Sequence, residues 1–210
     1  MLEALDIFVI DLAAEPLCPA LLSPAERRRA ASFRLPRPAR RYVAARCALR
    51  RRLAGSLGVP PGDLVIASDR FGKPFLDGVP GIAFNLAHSS EIALLAVHRA
   101  PRCATPVGID IEPTAPPPEA AAIVRGWFGD SDRITYEALP TTARDGAFAR
   151  LWTRKEAVAK AAGGIAALPL DRFAVGLEEW AAVAGTPWQV RSFTPAPGHV
   201  AALATRRKGQ

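Results

Sequence analysis

Residues 107–113 read VGIDIEP, and residues 151–164 read LWTRKEAVAKAAGG. In the first, Val107, Ile109 and Ile111 alternate with Gly108, Asp110 and Glu112, a period of two that predicts a strand with one buried face. Asp110 and Glu112 then share the opposite face. Pro113 has no N–H to give a ladder and ends the strand. The second stretch predicts a helix on which Trp152, Glu156 and Lys160, at i, i+4 and i+8, share a face. If that face meets the strand, three carboxylates (Asp110, Glu112, Glu156) converge beside one ammonium. Like charges so placed raise one another's pKa, and a divalent cation relieves them. Oxygen-only donors without Cys or His spacing suit Mg²⁺, which keeps waters and takes substrate phosphates as further ligands. Each motif alone admits a plainer reading. The strand can be an edge with two solvated acids, and the helix can carry a surface Glu–Lys pair of roughly 0.3–0.5 kcal/mol.

Outward from this pair, residues 5–12 predict a strand. Ser23, Pro24 and Glu26 form a helix start, with Ser as N-cap and Glu three positions on. That helix runs to about residue 33, where Pro36 and Pro38 are expected to break the chain. A longer helix covers 39–57 and closes at Gly58. Residues 63–68 and 71–76 predict short strands. Residues 82–87 and 92–98 predict a hairpin around His88-Ser89-Ser90-Glu91. After a connector at 99–106 and the strand above, helices are expected at 119–128, 130–138 and 143–162, the last stopped by Gly163-Gly164. Strands at 173–177, 188–193 and 199–204 follow. Strand, helix, helix, strands thus occurs twice. The pattern predicts an α+β fold of two similar lobes related by pseudo-twofold symmetry, each a small, mostly antiparallel sheet packed with helices. The N-terminal lobe spans 1–103 and the C-terminal lobe 107–210, with the ligand cleft between them.

Half of the 210 residues are apolar, enough for a substantial core, and the net charge is +7. The longest apolar run, 92–97, is far short of a membrane span. The first dozen residues carry acids and no base, unlike a secretory leader. Three well-separated cysteines, Cys18, Cys47 and Cys103, fit reduced thiols in the cytoplasm better than a disulfide framework. Eleven arginines lie between Arg27 and Arg52, either a solvated helix face or, for a subset, a phosphate site. Only four of 27 basic residues are lysine, and Lys73, Lys155 and Lys160 all fall in the motifs singled out here. A compact ammonium that can release a proton differs chemically from a guanidinium, so these lysines look selected.

GIDIE at 108–112, WxxKEAxxK at 152–160 and FNLAHS at 84–89 together resemble the 4′-phosphopantetheinyl transferases. The layout is similar to the two-lobed, single-chain type that activates peptide and polyketide synthases. The resemblance implies a monomer that uses coenzyme A and Mg²⁺. It would move phosphopantetheine onto a serine of acyl or peptidyl carrier protein domains of polyketide, peptide or fatty-acid synthases, releasing adenosine 3′,5′-bisphosphate. It implies that Asp110, Glu112 and Glu156 hold the metal and that Glu156 accepts the serine proton. Lys160 would serve the departing phosphate and Lys155 a pyrophosphate oxygen. Arg29 and Arg41 would meet the 3′-phosphate, Gly72 and Lys73 the nucleotide and its phosphate, and His88 the pyrophosphate. Glu26 stands where some members have a base, and Ala87 where many have Ser.

Two other classes compete. A pI near 10 and the arginine run are compatible with a nucleic-acid-binding module, but the run has little aromatic interleaving beyond Phe33 and Tyr42. A Mg²⁺-dependent phosphohydrolase or nuclease could use the same three acids, but it leaves FNLAHS and WxxKEAxxK unexplained.

Overall fold

The computed structural model describes residues 4–207. It is a mixed α/β structure with antiparallel sheets and five α-helices. The first sheet joins β1 (Ala4–Asp11), β4 (Ile82–Ser89) and β5 (Ile92–Arg99) in the order β1-β5-β4. The central β5, reading ALLAVH over its interior, is buried on both faces, as a strand with neighbours on either side requires. Helix α1 (Pro24–Ala31) begins with the expected reciprocal cap: the Ser23 side chain accepts from the Glu26 N–H, and the Glu26 carboxylate accepts from the Ser23 N–H. Helix α2 (Pro36–Leu57) lays Ala45, Leu49 and Leu53 over Ile10, Leu95 and Val97 of this sheet. A separate small hairpin pairs β2 (Ile66–Ser68) with β3 (Pro74–Leu76).

The second sheet takes β6 (Gly108–Pro113), β7 (Trp180–Ala182), β8 (Trp188–Phe193) and β9 (His199–Arg206) in the order β6-β9-β8-β7, all antiparallel. Helices α3 (Ala120–Trp127), α4 (Asp130–Glu137) and α5 (Thr141–Ala162) pack on it. The two sheets meet through an apolar layer in which Ala87, Leu94 and Ala96 face Val107, Ile109, Ile111 and Leu203. Across that junction, the buried Asn85 Oδ1 accepts the Ile109 N–H at 2.8 Å. The alternation in β6 therefore does what its period dictates. Its apolar face closes the junction between sheets, and its Gly108–Asp110–Glu112 face turns to α5.

Gly108 permits that approach. A Cβ there would collide with the backbone of Ala157 and Ala161 on α5. Gly108→Ala is therefore expected to lower stability by about 1–3 kcal/mol, read as a shift of the urea midpoint, because helix backbone cannot rotate away as a side chain can.

Three local expectations are corrected. Pro36 and Pro38 start α2 rather than break the chain, because the first helical N–H groups have no intrahelical acceptor and a proline there sacrifices nothing. The hairpin strands run to Ser89 and from Ile92, so His88 lies within a strand and only Ser90 and Glu91 turn, with Ser90 at φ 52°. Residues 173–177 are not a strand. The Asp132 carboxylate accepts the Val175 and Gly176 N–H groups, and Arg154 donates to the carbonyls of both residues. Side chains thus take the partners that a neighbouring strand would have supplied.

Candidate active site

Asp110 sits mid-strand on β6, only 4% exposed, and its Oδ1 accepts from the Lys160 ammonium at 2.6 Å. Lys160 also lies 3.8 Å from Glu156 Oε2, the i, i+4 spacing on α5 bringing the two together. Glu112 is within electrostatic reach of Asp110, Glu156 and Lys160, and it accepts a hydrogen bond from Trp152. Trp152 is fixed in turn by near-parallel stacking on Phe128 and Phe148, with ring centroids 6.4 and 6.2 Å away. Strand β6 and helix α5 therefore bring Asp110, Glu112, Glu156 and Lys160 into one cluster. Burial pushes the Asp110 carboxyl up to about 7 against the pull of Lys160, and the Glu112 and Glu156 charges push the same way. Burial likewise raises Glu112.

The donor set fits a hard cation. All its donors are carboxylate oxygens, and Asp110 Oδ2 is buried without a hydrogen-bond partner, an unfilled acceptor in a low-dielectric place. No three His, Cys, Asp or Glu side chains among the described residues form a ready-made cage, however. The ammonium of Lys160 holds the middle of the cluster instead.

His88 is the penultimate residue of β4. Partial burial first, then the charges of Lys160 and Arg41, hold its pKa below the ordinary value. A recess of about 200 Å³ opens between the β2–β3 hairpin, β4 and the end of α5, lined by Phe71, Gly72, Lys73, Asn85, Lys160 and Gly163. Gly72 takes φ 86° in a turn whose Asp69 carboxylate accepts the Phe71 and Lys73 N–H groups. That left-handed conformation favours glycine. Lys73 turns its ammonium to the carbonyls of Ala161 and Val107 at 2.9 and 3.2 Å, and burial lowers its pKa to about 8.

Arg41 donates to Glu91 Oε1 at 2.7 Å, as does Arg37 at 2.8 Å, and together they hold the Glu91 carboxyl down to about 2. Arg29 is exposed, 4.9 Å over the Phe33 ring. Glu26 does not meet ligand: it is buried between Arg46 and Arg50. Much of the arginine run is likewise used internally. Arg27 and Arg40 cap carbonyls at Leu22 and Leu12, and Arg51 pairs with Glu15. A guanidinium committed to the protein's own acceptors is not available to a phosphate backbone, which removes the main reason to read α1 and α2 as a nucleic-acid face.

Lys155 is corrected. It is fully buried, its ammonium shared by Asp132 at 2.8 Å and the carbonyls of Leu170 and Phe173 at 2.8 and 2.7 Å. Those three acceptors exhaust its three donors, so nothing is left for a pyrophosphate oxygen. It lies five residues before Lys160, about 140° round the helix.

The region 106–204 matches the family model of the 4′-phosphopantetheinyl transferase superfamily. The chain is 35% identical over 190 residues to the 4′-phosphopantetheinyl transferase HetI of Nostoc sp., covering 88% of this chain and 78% of that protein. The chain belongs to the 4′-phosphopantetheinyl transferase superfamily. It is 25% identical over 190 residues to the transferase Sfp of Bacillus subtilis, covering 88% of this chain and 82% of that one. To psf-1 of Bacillus pumilus it is 28% identical over 189 residues, covering 87% and 78%. The chain is thus a transferase of this family, which excludes the phosphohydrolase and nucleic-acid readings as its main activity.

Several residues of this site escaped sequence reasoning. Asn85 carries a signal in hindsight, as an amide in an otherwise buried strand. Glu91 and Asp132 carry none, because their partners lie 50 and 23 residues away.

Proposed function

We propose that the chain transfers 4′-phosphopantetheine from coenzyme A to a serine of acyl or peptidyl carrier protein domains. These would belong to polyketide, peptide or fatty-acid synthases, and adenosine 3′,5′-bisphosphate would leave. The observation that carries this reading within the family is the Asp110–Glu112–Glu156–Lys160 cluster, whose Lys160 also lines the recess. Asp110, Glu112 and Glu156 would hold Mg²⁺, which when bound neutralises pyrophosphate charge and polarises the phosphorus under attack. Glu156, 18% exposed, would take the serine proton directly or through a water. Lys160 would stabilise the leaving phosphate, His88 would meet the pyrophosphate, and Arg29 and Arg41 would meet the 3′-phosphate, Arg41 on giving up its pair with Glu91. Gly72 lets the nucleotide approach the turn backbone. An apolar groove of about 450 Å³ runs from Glu112 past Pro117, Ile123 and Trp152, suited to a pantetheine arm.

The two-lobe reading, 1–103 and 107–210 joined at 99–106 and related by pseudo-twofold symmetry, is part of the proposal. Two antiparallel sheets, each with a long helix on one face, support it. Both walls of the cleft come from one chain, which supports a monomer. Free thiols at Cys18, Cys47 and Cys103 support a reducing, cytoplasmic setting. Intact-mass analysis of an apo carrier protein incubated with coenzyme A, Mg²⁺ and this chain tests the activity. A gain of one phosphopantetheine unit is expected. No gain, or breakdown of coenzyme A without carrier protein, would overturn the proposal.

A further inference from the structure

Lys160 serves two neighbourhoods with one flexible side chain. Its ammonium lies 2.6 Å from Asp110 Oδ1 and 3.8 Å from Glu156 Oε2. The same side chain, 30% exposed, lines the recess with Gly72, Lys73 and Asn85. The acid cluster is therefore already partly neutralised by a cation of the protein's own.

We propose that Lys160 is a resident counter-ion that a divalent cation must evict, and that eviction delivers its ammonium to the recess. This inference rests on the metal reading given above. The physical grounds are steric and electrostatic. An ammonium held 2.6 Å from Asp110 Oδ1 and 3.8 Å from Glu156 Oε2 takes the space that a hard cation shared by both carboxylates would need, although Asp110 Oδ2 stays open. Two cations on one nearly buried carboxylate repel each other strongly, because little water screens them. Lysine can yield where arginine would not: its charge is compact, its four-carbon stem swings, and it makes no bidentate fork with Asp110. The recess is a place that its side chain already lines. There the released charge faces an incoming pyrophosphate, so metal and coenzyme each tighten the other's binding through this one side chain.

The chain has only four lysines, which makes the movement readable. Competitive acetylation followed by peptide mass spectrometry, on the intact protein without coenzyme, should show Lys160 labelling faster when Mg²⁺ is added. Lys155, buried with every donor used, should stay unlabelled with and without Mg²⁺, which shows that the fold is intact during labelling. Calorimetric titration of Mg²⁺ into the coenzyme-free protein should show binding about tenfold tighter for Lys160→Met and Lys160→Gln than for the natural chain. Lys160→Arg, which keeps the charge, should stay weak. Unchanged or slower Lys160 labelling on Mg²⁺ addition, or neutral variants that bind Mg²⁺ no tighter, overturns the inference alone, provided the natural chain binds Mg²⁺ when coenzyme A is present. If the natural chain binds no Mg²⁺ even then, the metal reading falls and the inference with it. The labelling arm needs no variant, so a variant that fails to fold does not remove the test.

Discussion

Asp110→Asn is expected to slow carrier-protein modification by on the order of a thousandfold while leaving the protein folded. The side chain keeps its shape, so the Gly108–Ala204 and Ile111–Ala201 pairings of β6 with β9 need not move. What changes is charge. A neutral amide offers one weak acceptor where the carboxylate offered two, one of them buried and without a partner. It can neither hold a dication nor neutralise Lys160. Folding should be little affected, because burial already opposes the ionised form and raises the carboxyl to about 7. Lys160 is also partly exposed and keeps Glu156 nearby. Glu156→Gln should give a loss of similar size. Rates of holo-protein formation by intact mass, paired with urea unfolding of each variant, check this. Turnover within tenfold of the natural chain at saturating Mg²⁺ would remove the assignment of these acids.

Lys155→Met is expected to act in the opposite way, costing about 3–5 kcal/mol of stability before any effect on chemistry. The ion pair with Asp132 is buried on both sides, 0% and 1% exposed, so removing the ammonium leaves an uncompensated carboxylate. It also leaves the Leu170 and Phe173 carbonyls without their donor and removes the cation facing the Phe128 and Phe173 rings, 5.1 and 4.8 Å from Nζ. Burial depresses the lysine's pKa, opposed by Asp132. Equilibrium urea unfolding measures the loss. Adding Asp132→Asn should recover part of it, since the remaining charge is then gone while an amide oxygen can still accept from Val175 and Gly176. A direct phosphate ligand would behave differently: its loss would raise KM for coenzyme A at unchanged stability.

The two lysines of WxxKEAxxK show where sequence reading reached its limit. The strand of 107–113, the helix ending at Gly163 and the shared face of Glu156 and Lys160 were all legible, because each depends on spacing within a few residues. The turn at Gly72 and the capping box at Ser23 were legible for the same reason. Lys155 was misjudged because α5 is buried on most sides. Leu151, Arg154, Ala157, Val158 and Ala161 all lie in the interior, so no single apolar stripe marks which face meets the cleft. The arginine run shows the same limit. Its charge was visible, but its partners were not: Arg41 meets Glu91 fifty residues later, and Arg50 meets Glu26 on the preceding helix.

By itself the sequence determined most of the elements, the two faces of β6 and the spacing that joins Asp110, Glu112, Glu156 and Lys160 as a candidate site. Periodicity and capping act over one or two turns of chain, and the local backbone enforces them. Only the tertiary structure decided that Lys160 faces the acids while Lys155 is enclosed, and that Glu91 and Asp132 take the charges they do. Those pairings form between segments distant in sequence. They follow from how two sheets and a helix close on one another, which no local pattern encodes.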